Sequence, residues 1–477
     1  MKYVVGIVCA VLATAPAGAQ PAPPPPAPPP SGTSPADQPS WLPGVQDVNK
    51  AETAEPGKLK ITMARAVEIA EHDQPTLRQA RANAAAAVAR VDLARVPLHP
   101  TVTLNGTVST GSTNCNNIVT GTGAAANCGA AFGTGGFFSP SFQTGVSAAA
   151  SWRIYDFGQT AANVRSAQAN SDAAAAGINT SLLDLRVNVE STYLEAVARQ
   201  RLVLVAQATV RSEELHYDQA KRFVAAQAQD PIAVAQAQSR LANARSALAQ
   251  ADSNAAVAVA QLRAAIGWLD PTRGIAVDPT WPQPSEQQPA DLGALVSIAR
   301  KHRPEIVQFD KLVVASEENI TAAHAERRPI LSAVAQTQWN PNSNNWSPDP
   351  TWTAGVTLSW LAWDGGRSAA DVHIAQANMQ SALAQRDELL ISLTSALDAA
   401  RAQILANRAN VDASSQAVTA AQAALHLADA RYTQGLGSQI ELADAQTAVT
   451  TAEGNLVFAE WQLATAWAQL QRALGEI

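Results

Sequence analysis

One short phrase appears twice in this chain. At 151 it reads SWRIYDFGQ and at 359 it reads SWLAWDGGR, so Ser151, Trp152, Asp156 and Gly158 return as Ser359, Trp360, Asp364 and Gly366, at an offset of 208 residues (359 − 151). The offset holds to the end, where QLRAAIG at 261–267 matches QLQRALG at 469–475. Upstream, Pro75 and Pro100 return as Pro304 and Pro329 at an offset of 229 (304 − 75), and AVEIAEHDQPTL resembles LVSIARKHRPEI. The difference of 21 residues (229 − 208) falls between Pro100 and Ser151, in the glycine-rich stretch around NCNNIVTGTGAAANC. A chain of 477 residues would otherwise suggest two or three unrelated domains; self-similarity at a fixed period means two copies of one unit.

Each copy reads in the same order. A helical stretch runs from Pro75 to about 96, and its partner from Pro304 to about 328, with proline suited to the first helical turn. Pro100 and Pro329 stop these helices, and alternating segments follow. In 101–109, Thr101, Thr103, Asn105, Thr107 and Ser109 share one face, and Val102, Leu104 and Val108 the other. Val146, Ala148, Ala150, Trp152 and Ile154 likewise oppose Ser147, Ser151 and Arg153. In 351–363, Trp352, Ala354, Val356, Leu358 and Trp360 oppose Thr351, Thr353, Thr357 and Ser359. Period two with one polar and one apolar face marks strands, so each copy carries one hairpin, over 101–155 and 331–363.

After each hairpin comes a proline-free helical run, about 159–226 and 367–433, each long enough at 1.5 Å per residue to span roughly 100 Å. Leu182, Val189, Ala196, Val203 and Val210 fall seven apart, the pattern of a coiled-coil seam; an ordinary bundle is the alternative. The return helices restart at Asp230-Pro231, read as N-cap and first helical residue, and at the capping box Ser438-Gln-Ile-Glu441. A return helix covers only ~54 Å and the helix before the hairpin ~33 Å, which suggests that the two stack end to end beside the long one. The expected divisions are a signal peptide (1–19), a proline-rich linker (20–59), a first repeat (60–267), an inter-repeat linker (268–290) and a second repeat (291–477).

The leader sets the compartment. Lys2, the apolar run 4–12 and Ala17-Gly18-Ala19 before Gln20 have the three parts of a secretory signal peptide, and the run is too short for a retained anchor. Cys9 lies inside the apolar run, away from the cleavage residues, which argues against lipid attachment there. No later stretch offers 18 consecutive apolar residues. Cys115 and Cys128 both lie in the insertion and close a short loop in a secreted chain, so a disulfide bracing that loop is expected, with two free thiols the alternative.

Enzymes and nucleic-acid binders are disfavoured. Charged residues make up 15%, the net charge is −7 and there is no basic tract for phosphate contacts. Gly121-Thr-Gly-Ala-Ala-Ala126 fits a loose dinucleotide fingerprint, yet no strand feeds it and no helix follows. The seven histidines are scattered without H-E-x-x-H, there is no C-x-x-C, and beyond the leader Met63 and Met379 are the only methionines, so no metal or cofactor site is expected.

Strands with an apolar outer face must close into a barrel if they sit in lipid, because every backbone group has to be paired there. Four strands cannot close, but an oligomer sharing strands can. Trp152, Trp339, Trp360 and Trp363 stand near strand ends, as in an aromatic girdle; a soluble sandwich core is the alternative.

The duplicated helix–hairpin–long helix–return helix order, the W-x-x-[YW]-D-x-G phrases and RYTQGLGSQIELADAQ at 431–446 resemble the TolC family of outer-membrane efflux proteins over nearly all of the chain from Lys60 onward. The resemblance implies an α+β membrane protein. Four strands per protomer would contribute to a homotrimeric 12-stranded barrel in outer-membrane lipid, continued by a coiled-coil tunnel through the periplasm. It implies a passive exit channel docked to a periplasmic adaptor protein and an inner-membrane transporter; an exit channel for type I protein secretion is a variant. A non-conducting trimeric adhesive protein is the rival, disfavoured by two hairpins per chain.

The resemblance also implies site residues. Glu441 and Asp444 match the acidic ring at the closed periplasmic entrance, and their spacing of three puts both carboxylates near one helix face. Stacked rings in a trimer would favour cations. A plain capping role for Glu441 and a solvated Asp444 are the alternative. Tyr432 matches the inter-repeat latch, and Gly435 and Gly437 form the turn, with Gly437 where the family places an arginine. The first-copy tip, AAQAQDP, lacks those glycines and has Ala233 where a gate carboxylate would fall.

Overall fold

In the computed structural model the described residues are 53–55, 58–112, 140–227, 230–270, 274–278, 281, 289–341 and 349–475, all within the unit Ala51–Ile477. The expected signal peptide, Cys9, most of the proline-rich segment, and Cys115 and Cys128 lie outside them.

The order is β1 (Thr53–Glu55), β2 (Lys58–Ile61), α1 (Met63–Asp73), α2 (Pro75–Arg95), β3 (Thr101–Ser112), β4 (Pro140–Tyr155), α3 (Gln159–Ala225) and α4 (Ile232–Ala265). Then come β5 (Gly274–Val277), α5 (Leu292–His302), α6 (Pro304–Glu326), β6 (Ile330–Trp339), β7 (Thr351–Ser359), α7 (Arg367–Thr433) and α8 (Gln439–Leu474). The duplication is therefore structural: α3 and α7 have 67 residues each and start and stop at the same repeat positions.

Both prolines stand in the first turn of their helices, α2 and α6. Thr62 caps α1 by accepting from the Arg65 amide, and Asp291 caps α5 by accepting from the Gly293 amide. At the second return helix Ser438 accepts from the Glu441 amide at 3.1 Å. At the first, the helix begins at Ile232, one residue later than the Asp-Pro reading, and Asp230 Oδ1 still accepts from the Ile232 amide at 2.9 Å.

The expected end-to-end stacking is present. The Gln74 side chain, at the α1–α2 corner, donates to the carbonyls of Ala265 at 2.8 Å and Ala264 at 3.3 Å, the open end of α4. Immediately after, Gly267 has φ 73°, and a Cβ there would lie 3.1 Å from Gln74 Cα. Gly475, its counterpart, has φ 77°, and its Cβ would lie 3.0 Å from Arg303 Cα. Only glycine accepts both the left-handed backbone and the approach.

The two long helices are buried differently. α3 packs against α1, α2, α4, α6 and α8, whereas α7 packs against α5, α6 and α8. Four of the five seam positions on α3, Val189, Ala196, Val203 and Val210, are buried, and Leu182 is half-buried beside buried Leu183. On α7 only Val372, Leu393, Leu397, Ala400, Ile404, Ala428 and Tyr432 are buried. Alanine-rich α7 also holds one 18-residue window apolar enough to cross a membrane by composition, which a count of consecutive apolar residues does not reveal.

Two sheets form. β3-β4-β6-β7 is antiparallel throughout and joins the hairpins of both copies through β4 and β6, with Ala150 opposite Ala335. A second, three-stranded sheet, β1-β2-β5, draws short strands from the two segments expected as linkers, 20–59 and 268–290. β2 runs parallel to β5 from Lys58↔Gly274 to Ile61↔Val277 and ties the start of the first repeat to the passage between repeats. Ile61 is fully buried, its carbonyl accepting from Tyr193 Oη at 3.2 Å, and Lys60 pairs with Asp278 at 2.9 Å. Strands of three or four residues are too short for alternation to register, and this pairing is long-range.

The second hairpin is shorter than its expected span. β7 ends at Ser359, so Trp360 and Trp363 stand beyond the strand, whereas β4 continues to Tyr155 through a bulge between Arg153 and Tyr155.

Candidate functional site

The hairpin sheet has two chemically opposite faces, fixed by register. On one lie Val102, Leu104 and Val108, then Val146, Ala148, Ala150 and Trp152, then Leu331, Ala333 and Ala335, then Trp352, Ala354, Val356 and Leu358. On the other lie Thr101, Thr103, Asn105 and Thr107, then Ser147, Ser151 and Arg153, then Ser332, Gln336 and Gln338, then Thr351, Thr353 and Thr357. Leu104 is 78% and Leu358 68% exposed, so the apolar face is uncovered in the single chain. Hydroxyls on the polar face bond across strands: Thr101 Oγ1 lies 2.9 Å from Ser151 Oγ, and Thr357 Oγ1 donates to the Ser332 carbonyl at 3.3 Å. Arg153 is the one charged side chain among the described strand residues of this face.

Tryptophans bracket the apolar face. Trp152, Trp360 and Trp363 stand at the helix end of the sheet; Trp339 stands at the far end, opposite Val146. Trp352, opposite Thr337, joins it there, so the sequence reading missed one member of the far group. Trp352 and Trp360 are separated by eight residues, ~27 Å of strand, close to the ~25 Å apolar band of an outer-membrane barrel. The two tryptophans of the repeated phrase make the same bond: Trp152 Nε1 donates to the Leu98 carbonyl at 2.9 Å and Trp360 Nε1 to the Arg327 carbonyl at 3.2 Å. Leu98 and Arg327 are themselves repeat equivalents.

Asp-x-Gly then turns the strand into the long helix. Gly158 and Gly366 both have φ 92° and ψ 5°. Asp156 accepts from the Gly158 amide at 3.2 Å, the Thr160 amide at 2.9 Å and the Thr160 hydroxyl. Asp364 accepts from the Gly366 amide at 2.9 Å, the Ser368 amide at 2.8 Å and the Ser368 hydroxyl. These bonds satisfy the orphan amides of the first turn. Hydrogen bonds from Ser368 and Gly366 hold the Asp364 carboxyl down to about 2. At Asp156 burial pushes the carboxyl up, but the bonds from Thr160 and Gly158 outweigh it and leave it below its ordinary value.

At the opposite end of the long helices, Tyr432 is buried against Ala428 and Leu442, with the Phe223 ring edge-on at 5.7 Å. The two copies therefore meet through aromatics, and Gln439 Nε2 adds a bond to the Ala233 carbonyl at 3.2 Å. The Arg431 carbonyl accepts from the Leu436 amide at 2.8 Å and the Gly437 amide at 3.0 Å. A Cβ at Gly437 would lie 3.1 Å from both Arg431 Cβ and the Tyr432 nitrogen, so an arginine at the place the resemblance gives it would press on the end of α7. The guanidinium comes from Arg431 instead, 3.5 Å from Glu441 Oε1. Asp444 is exposed, one turn along the same helix as half-buried Glu441. Arg431 and Phe223 were not singled out in the sequence; both flank residues that were.

The outer membrane efflux protein model matches residues 66–268 and 295–476, one block per repeat. The chain belongs to that family. It is 27% identical over 422 residues to Protein CyaE of Bordetella pertussis, covering 87% of this chain and 84% of that protein. Its fold is similar to that of a membrane protein from Pseudomonas aeruginosa, with TM-score 0.72, 22% identity and 87% and 92% of the two chains covered. It is equally similar to CusC, with TM-score 0.72, 18% identity and 90% and 96% covered. Family members are outer-membrane channels with a periplasmic extension and are not enzymes, which places the hairpin sheet in the outer membrane and the long helices on its periplasmic side.

Proposed function

We propose that three copies of this chain close a 12-stranded barrel and a helical tunnel, forming a passive exit duct. Cargo enters from a periplasmic adaptor and an inner-membrane transporter, which supplies the energy. The observation that carries this reading is the sheet itself, polar on one face, apolar on the other, with β3 and β7 left as unpaired edges. In lipid those edges need partners. The internal repeat supplies the register. Ala150 faces Ala335 inside the chain, and shifting each by its repeat offset puts Leu358 of one copy opposite Gly106 of the next. Val356 then meets Val108, apolar face to apolar face.

The helices support the same ring. Inside the chain, α3 meets α6 and α8 through Arg165–Glu318 at 2.7 Å, Arg201–Glu460 at 2.6 Å, Arg472–Asp184 at 2.6 Å and the hydroxyl pair Thr209–Thr450 at 3.0 Å. The equivalent positions on α7 and on α2 and α4 are His373 with Ala89, Ala409 with Asp252, Ser392 with Ala264, and Ala417 with Ala242. All eight are exposed in the single chain, as expected of a surface that receives a second copy. At the tip Leu436 and Ile440, 70% and 66% exposed, offer apolar contacts for an adaptor.

Planar-bilayer conductance tests the reading. The purified trimer is expected to conduct, preferring cations, and Glu441→Gln with Asp444→Asn should weaken that preference. A trimer that passes no current even with both carboxylates neutralised would contradict it.

A further inference from the structure

Where the sheet meets the helices, one corner of the first copy departs from its equivalent. Phe157 has φ 54°, a left-handed backbone that bulky residues avoid, while its repeat counterpart Gly365 holds φ 66° without strain. The Phe157 ring is fixed on both sides. Tyr155 meets it edge-on at 4.8 Å, and the Arg328 guanidinium lies over it at 5.7 Å. Tyr155 pairs with Leu331, which sets the cluster on the apolar, outward side of the sheet, at the level of Trp152 and Trp360. Beside it is Arg327, and both arginines are exposed. Among the described residues neither guanidinium has a carboxylate or carbonyl acceptor. In the first copy Leu98 and His99 occupy the equivalent places, so the paired cations exist once per chain.

We propose that Tyr155, Phe157, Arg327 and Arg328 form a docking site for the phosphodiester headgroup of a phospholipid in the periplasmic leaflet of the outer membrane. The aromatic pair sits where acyl chains give way to headgroups, as interfacial aromatics do. The guanidiniums offer forked donors that match phosphate oxygens, in a zone where partial dehydration strengthens the contact. The strained phenylalanine gives a rigid base under Arg328, which a glycine would not. The site belongs to the outer-membrane location and does not depend on how many copies close the barrel.

Native mass spectrometry of the detergent-solubilised full chain, titrated with phosphatidylglycerol and with diacylglycerol of the same acyl chains, tests the site. Phosphatidylglycerol adducts should saturate at one tight site per chain, and retention should fall about fivefold for each of Arg327→Gln and Arg328→Gln. Diacylglycerol retention should be weak and indifferent to both changes, and millimolar inorganic phosphate should not displace the lipid. Phe157→Gly should raise the melting temperature in detergent while loosening phosphatidylglycerol, opposite signs that a merely structural role would not give. Unchanged lipid retention in the double glutamine variant would overturn the proposal. So would displacement by free phosphate, or a Phe157→Gly variant that melts lower and binds lipid as before.

Discussion

The two repeats share a backbone and differ in chemistry, and the division between what matches and what differs is informative. Both copies keep the indole–carbonyl bond, the Asp-x-Gly cap and the glycine that ends the return helix. Each of these ends or redirects an element, so each is needed wherever the unit is built. The copies part at both ends of the first long helix. There Phe157 and Gln227 hold positive φ of 54° and 56°, at the places of Gly365 and Gly435 in the second copy. They part again at the tip, where only the second copy has the carboxylates Glu441 and Asp444 beside a glycine turn. Duplication supplied the wall twice, and divergence left one candidate entrance element and one lipid corner per chain.

The largest effects should come where the copies agree. Gly475→Ala and Gly267→Ala each combine a left-handed backbone with a Cβ within 3.1 Å of backbone atoms. Each should cost about 2–4 kcal/mol in thermal or denaturant unfolding. If one were tolerated and the other not, the structural equivalence of the repeats would be wrong.

Loss of the helix cap comes next. Asp156→Ala should destabilise by about 1–2 kcal/mol because its carboxylate is buried, and Asp364→Ala should lower the melting temperature by less. The sign with pH follows from the depressed carboxyls: the Asp364 contribution is complete above its ordinary 3.8 and is lost as pH falls toward about 2. Melting temperature against pH should therefore drop more steeply in that window for the parent chain than for Asp364→Asn; parallel curves would remove Asp364 from the cap.

Exchanging the left-handed residues sharpens the contrast. Gln227→Gly should stabilise by about 1 kcal/mol and Gly435→Gln should destabilise by a similar amount, read as opposite shifts in melting temperature. Shifts of the same sign would mean that Gln227 carries a contact worth more than its strain.

The smallest stability effect belongs to Arg431→Ala. Its pair with Glu441 is half exposed, so unfolding should change by only about 0.5 kcal/mol. Channel selectivity should move more, toward cations, because the change unmasks a carboxylate. An unchanged reversal potential would place Glu441 away from the ion path.

Most of this architecture is legible in the sequence because it is written in periods. Seven-residue spacing on α3, two-residue alternation in the hairpins and matched prolines put the helix ends and the helix-side strand ends within a residue or two of where they fall, the end of β7 excepted, while β3 and β4 reach three and six residues further outward than the alternation shows. β7 stops at Ser359 because its partner β6 begins opposite it at Ile330, a limit set by pairing between segments that no local pattern announces. The β1-β2-β5 sheet was hidden for the same reason. At the tip, Glu441, Asp444 and Tyr432 were reachable through resemblance, but the Arg431 pairing depends on how tightly Gly437 folds the turn. The strained Phe157 and Gln227 carry their signal only in the comparison of the two copies, where each aligns with a glycine.

The central claim is that the seam inside the chain is the template for the seam between chains, and disulfide trapping tests it most directly. Thr209→Cys with Thr450→Cys should close within one chain and run as a monomer on non-reducing gels. Ala242→Cys with Ala417→Cys, the repeat-equivalent pair, should yield covalent dimers and trimers of the full-length protein, above any background from Cys115 and Cys128 in the parent chain. Ala256→Cys with Ala417→Cys, displaced by 14 residues or ~21 Å along the helix, should not. Native mass read in parallel reports the number of copies independently. A trimer that cross-links through Ala256 and not through Ala242 would contradict the register, and a monomer by native mass would contradict the tube itself.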